Sequence, residues 1–150
     1  MKHIVVNALK HCQSKKGLVV HAWCLMPSHL HMIVSSVDQK LSNIFRDFKK
    51  YTSKAIIAEI EQINESRKVW LLNAFKRSGN DLKRIGIYKV WQDGNQPKEI
   101  ETNEFLDQKL EYIHNNPVEA ELVDEAEHYL HSSARDYCGV NGLIKIQILE

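Results

Sequence analysis

Cysteine is scarce and poorly spaced in this chain. Cys12, Cys24 and Cys138 are odd in number, far apart and in no CxxC or Cys/His pattern, which argues against both a disulfide framework and a structural zinc centre. No apolar run approaches the roughly 20 residues of a membrane helix, and the N-terminus lacks the charged, apolar and small-residue succession of a secretory signal. These absences predict a cytoplasmic protein without a membrane partner. Repeats, low-complexity tracts and linkers are missing as well. With 43% hydrophobic residues in a length of 150, the expectation is one α/β or α+β domain spanning residues 1–150.

There is also little excess charge. A net +1 is small for a protein that contacts phosphates, but its distribution is uneven. Residues 40–98 hold thirteen Lys/Arg and six Asp/Glu (13 − 6 = +7), and residues 99–150 hold three and twelve (3 − 12 = −9). The basic stretch is either a set of solvated helix faces or a phosphate track.

Ile4, Val5, Ala8, Leu9 and Cys12 recur at helical spacing, which predicts a helix over 3–14 that stops at Lys15, Lys16 and Gly17. LVVHAWCL (18–25) and HLHMIVS (29–35) predict two strands joined by a turn at Met26-Pro27-Ser28. Residues 41–63 predict a long helix with Arg46, Lys49, Lys50 and Lys54 off its apolar face. Further expectations are a helix from Glu65 to Lys76 stopped by Ser78-Gly79-Asn80-Asp81, a short strand at Tyr88–Trp91 and a polar loop from Gln92 to Lys98. Thr102 or Asn103 should cap a helix from Glu104 to about Asn115, terminated by Pro117. The last stretch combines an acidic segment with an apolar run, Leu143–Leu149.

Two segments carry chemistry. In His29-Leu30-His31, strand alternation puts both imidazoles on one face, where they can converge on one ion, and turns Leu30 to the other. In a chain with eight histidines two of them two apart occur often by chance, so the spacing suggests a site without establishing one. In Tyr112-Ile113-His114-Asn115-Asn116, helical geometry puts Tyr112 and Asn116 on one face. A carbonyl oxygen added to two imidazoles leaves coordination positions open for a phosphate oxygen. A phenol, mostly protonated at neutral pH, gains as a nucleophile from a polarised phosphate. Taken alone, Tyr112 also reads as an ordinary amphipathic-helix residue. His3, His11, His21, His128 and His131 lack partners at ligand spacing, and His114 lies well round the helix from Tyr112.

MPSHLHMIVS and YIHNNPVEAELV, with WQDGNQPKEI between them and HSSARDY near the end, together resemble the HUH single-tyrosine transposases, specifically the REP-associated tyrosine transposase-like branch. The resemblance covers nearly the whole chain. It implies a ferredoxin-like sandwich with a central antiparallel sheet. It implies that His29, His31 and Asn116 bind Mg²⁺ or Mn²⁺, and that Tyr112 attacks a DNA phosphodiester to give a 5′-phosphotyrosyl enzyme and a free 3′-OH. Cutting then becomes strand transfer without a nucleotide cofactor, and the implied partner is single-stranded DNA with a hairpin near the cut.

For DNA contact the candidates are Arg46, Lys49, Lys50 and Lys54, extended by Arg67, Lys68, Lys76, Arg77, Lys83 and Arg84. Trp91 and Gln92 belong to an element that recurs in the family. Trp70, Tyr88 and Trp91 are available for base stacking, although each reads first as a core residue. Relatives begin with a further strand ahead of the first helix, whereas Met1 here falls almost at that helix. A missing strand would expose a sheet edge or require another chain, a homodimer partner for instance, to cover it. The alternative to a nicking and rejoining enzyme is a hairpin-DNA-binding module of the same descent that no longer cuts. A metal-dependent hydrolase unrelated to DNA is a third reading.

Overall fold

The apolar spacing of the first segment produces helix α1 (Lys2–Lys15), with Val5, Ala8, Leu9 and Cys12 buried. Gly17 follows at φ 73°, a conformation that L side chains rarely adopt, and its carbonyl accepts the Val37 N–H at 2.9 Å. In the computed structural model the described residues are 1–62, 68–80, 90–91 and 98–149. They fall into two compact units, Met1–Ala8 with Phe45–Pro97 and Leu9–Ile44 with Lys98–Glu150.

The second unit contains the sheet, two antiparallel strands β1 (Leu18–Leu25) and β2 (Leu30–Ser36). Leu25 pairs with Leu30, and the Met26 N–H donates to the His29 carbonyl at 2.8 Å, leaving Pro27 and Ser28 at the tip. His29 therefore closes the turn, and β2 starts one residue later than the sequence predicts. β1 is apolar and buried almost throughout, the pattern of a strand covered on both faces, whereas β2 is half-buried. A register shift between Val20 and Ala22 leaves His21 in a bulge, where its ring meets Ser35 Oγ at 2.8 Å and the Gln147 carbonyl at 3.1 Å.

The outer edge of β1 is covered by this chain itself. Leu25 N–H donates to the His131 carbonyl at 2.8 Å, Cys24 bridges Ser132, Ser133 N–H donates to the Trp23 carbonyl at 2.9 Å, and Gln147 N–H donates to the Val20 carbonyl at 3.0 Å. The Tyr137 hydroxyl, on the one-turn helix at Ala134–Tyr137, adds a 2.7 Å bond to the His21 carbonyl. These bonds satisfy backbone groups that an open edge would expose.

Among the described residues, three longer helices follow the hairpin in sequence: α2 (Leu41–Gln62), α3 (Lys68–Asn80) and α4 (Asn103–Glu119). In the second unit, α4 covers one face of the sheet. Thr102 caps it, the hydroxyl accepting the Phe105 N–H at 3.1 Å. Contrary to the sequence expectation, Pro117 does not stop the helix, which runs to Glu119. Proline in the last turn removes one backbone bond, and full burial of its ring beside Ile113 offsets that loss. Ala22, Cys24, Met26, Ile33, Ile113 and Tyr129 form the core between sheet and helix, with Leu106, Leu110 and Leu149 packed against it.

In the first unit, α2 buries Phe48, Thr52, Ile56 and Ile60 at successive turns. α3 runs past the expected end at Lys76 into the breaker, as far as Asn80, since a single glycine costs a helix only about 1 kcal/mol. Val90 and Trp91 are not in a strand, and the rest of that expected strand and Gln92 to Pro97 lie outside the described residues. No described helix is long and apolar enough to cross a membrane.

Candidate active site

Residues directly opposite each other in an antiparallel pair project to the same side. His31 is opposite Cys24, and Cys24 packs in the core that Ile113 of α4 enters. The histidine strand thus turns His31 toward α4. His29, two residues earlier, lies on the same side, with ring centroids 4.6 Å apart and planes at 78°. Along this side of the strand His29 is exposed, His31 half-buried and Ile33 buried, so the pair stands where the core opens to solvent.

Helix α4 presents two neighbouring stripes. Leu106, Leu110, Ile113 and Pro117 face the core, and Phe105, Lys109, Tyr112 and Asn116, at i, i+4, i+7 and i+11, form the next. Tyr112 is 51% exposed, yet its ring meets that of His31 edge to face, with centroids 5.4 Å apart. The structure therefore joins His29, His31 and Tyr112 in one cluster. Asn116 is half-buried one turn beyond Tyr112 on the same stripe. The Lys109 ammonium lies 5.5 Å from the Tyr112 ring centroid and 5.7 Å from that of Phe105.

Electrostatics keeps His31 ready to act as a donor. Burial first, and then the charges of His29 and Lys109, lower its pKa from the ordinary 6.5, so the neutral ring is favoured. Its Nε2 is buried without a hydrogen-bond partner. Ser28 Oγ is 2.8 Å from His29 Nδ1, which engages that nitrogen and leaves the other available. Among the described residues no group of three His, Cys, Asp or Glu can hold a metal. Two imidazoles with the Asn116 amide are the residues that could hold an ion here; the unpartnered His31 nitrogen is compatible with that use, and Asn116 is related to the histidines only through its place on the Tyr112 stripe.

The other histidines have different work. His114 Nε2 is 2.7 Å from Ser133 Oγ, which also accepts the Trp23 N–H at 2.9 Å. This ties α4 to the covered edge of β1. Burial lowers the His114 pKa to about 4. His3 approaches Glu59 at 3.4 Å. Sequence reasoning missed Lys109 and Ser28 at the site. The available signal for Lys109 was its position as the single lysine of an acidic helix, three residues before Tyr112.

In the first unit, Arg46, Lys50 and Lys54 are exposed on α2, and Lys49 is half-buried. Arg46 pairs with Asp47 at 3.3 Å. Trp91 is half-buried, donating its indole N–H to Thr52 Oγ1 at 2.9 Å, with its ring centroid 5.7 Å from that of Phe48. Trp70, read first as a core residue, is 62% exposed, and Tyr51 beside Lys50 is 60% exposed. Gln92, Arg67, Tyr88, Lys83 and Arg84 lie outside the described residues.

No curated protein sequence matches the chain. Among solved structures, the fold is similar to that of a REP-associated tyrosine transposase bound to a REP hairpin, with a TM-score of 0.58 and 18% identity over 99% of this chain and 73% of that one. The family model for IS200-like transposases matches residues 1–78, which include the whole β1–β2 hairpin and both site histidines. On that match, the chain belongs to the IS200-like transposase family.

Proposed function

We propose that this transposase is a metal-dependent single-stranded DNA endonuclease and strand transferase of the HUH type, acting as one functional domain without a nucleotide cofactor. The observation that carries the reading is the contact between the Tyr112 and His31 rings, with centroids 5.4 Å apart, which brings a nucleophile and a donor cluster together from distant parts of the chain. His29, His31 and Asn116 would hold Mg²⁺ or Mn²⁺. Bound there, a divalent ion supplies Lewis-acid polarisation of a phosphate oxygen.

The chain's own groups do the rest. The Tyr112 hydroxyl, on an exposed side chain, can approach the phosphorus of a strand laid across the site. Its oxygen forms a bond to phosphorus as the bond to the 3′ oxygen breaks. The phenolic proton leaves to solvent, and the departing 3′ oxygen takes up a proton. Reversal with another 3′-OH rejoins strands. The similar solved structure is a transposase bound to a hairpin, which supports hairpin-bearing DNA as the substrate here. Exposed Arg46, Lys50 and Lys54, together with Lys49, supply phosphate contacts, and Trp91 and Gln92 are assigned to the same DNA-binding role.

The test is incubation with Mn²⁺ and labelled single-stranded DNA carrying a hairpin. A covalent protein–DNA adduct is expected with the wild type and none with Tyr112→Phe or in excess chelator. Hairpin binding without an adduct would overturn the nuclease and identify a binding module.

A further inference from the structure

Lys109 is the only lysine or arginine on α4, which also carries Glu104, Asp107, Glu111 and Glu119. A helical lysine on an acidic helix ordinarily pairs with a carboxylate three or four residues away. The neighbours of Lys109 at those spacings are Phe105, Leu106, Tyr112 and Ile113, and none is acidic. Its ammonium instead rests against the rings of Phe105 and Tyr112, at 5.7 and 5.5 Å from their centroids.

The surroundings define what this charge faces. The Lys109 ammonium lies against the Tyr112 ring, and that ring meets His31 with centroids 5.4 Å apart, so Lys109, His31 and Tyr112 share one corner. His29 adds a second imidazole, its centroid 4.6 Å from that of His31. Lys109 brings a full positive charge to this corner, beside the tyrosine and the two imidazoles, and that charge is complementary to a phosphodiester.

We propose that Lys109 is a further catalytic residue, whose ammonium contacts a non-bridging oxygen of the phosphate that Tyr112 attacks. The inference rests on the nuclease reading above and adds to it a charged contact from the helix that bears the nucleophile. Lys109 undergoes no covalent change. It stabilises the charge that accumulates on the phosphoryl oxygens while the bond to Tyr112 forms and the bond to the 3′ oxygen breaks. Its two aromatic contacts limit where the long side chain can go.

The experiment compares wild type, Lys109→Gln, Lys109→Arg and Tyr112→Phe on the hairpin oligonucleotide that forms the adduct. Lys109→Gln is expected to slow adduct formation about 100-fold, the loss typical of one transition-state donor, and Lys109→Arg to recover most of it. In the Tyr112→Phe background, Lys109→Gln should weaken equilibrium binding of that oligonucleotide. It should not weaken binding when the cleaved linkage is an uncharged methylphosphonate. A wild-type rate in Lys109→Gln, or an equal binding penalty on both oligonucleotides, would overturn this inference alone. An adduct that persists in Tyr112→Phe would overturn the nuclease reading on which it rests.

Discussion

His31 and Tyr112 come from a strand and a helix far apart in sequence, and their rings meet edge to face with centroids 5.4 Å apart. The contact follows from two registers. The pairing of His31 with Cys24 sets which side of the sheet the imidazole takes, and burial of Ile113 and Pro117 sets which stripe of α4 lies beside it. Mn²⁺ titration by calorimetry tests what this arrangement binds. His31→Ala and His29→Ala are each expected to weaken binding at least about tenfold, the scale at which even supporting residues of metal sites act. Asn116→Ala should weaken it as well. Unchanged affinity in both histidine variants would remove the metal site.

The buried His114 makes stability depend on pH. Its pKa is lowered to about 4 in the folded protein, against an ordinary value of about 6.5. Between these values the unfolded chain binds the proton and the folded chain does not, so stability is full above about pH 6.5 and falls as pH drops toward 4. Because the ring is partly screened by solvent, the expected loss is about 2 kcal/mol. Urea melts at about pH 7 and about pH 4.5 should show a larger acid loss for wild type than for His114→Gln. Equal losses would exclude His114 as the source.

Helix α4 depends on its cap. Thr102→Ala removes the acceptor for the Phe105 N–H and is expected to cost about 1 kcal/mol, with Thr102→Ser recovering most of it. Urea denaturation at neutral pH decides this, and a change below about 0.3 kcal/mol would mean that the helix start is held by packing instead.

The basic side of α2 should reveal itself through salt. Lys50→Gln and Lys54→Gln are each expected to lower hairpin-DNA affinity and to reduce the slope of log affinity against log salt by about 1. An unchanged slope in both would take α2 out of the DNA interface.

The elements most legible in the sequence are those with a strong local period. LVVHAWCL forms β1 over the same residues, and the long helix begins at Leu41 as its apolar stripe predicts. His29, His31 and Tyr112 are visible as chemistry, and their meeting in space is what the structure adds. What local pattern does not encode is tertiary compensation. Pro117 reads as a helix terminator until its burial is known, and the cover on β1 comes from residues more than a hundred positions away. Lys109 looks like one more surface charge because its partners are rings, which a count of opposite charges passes over.

The cover on β1 also sets an order of events. The hairpin of β1 and β2 can form early, since its strands adjoin in sequence. The bonds from Val20 to Gln147 and from Leu25 to His131 close very long loops, and such contacts form slowly. During synthesis, the hairpin that carries both site histidines must wait with one edge unpaired until the distant segment emerges. In that interval the β1 edge is open to pairing with a chaperone or a second nascent copy.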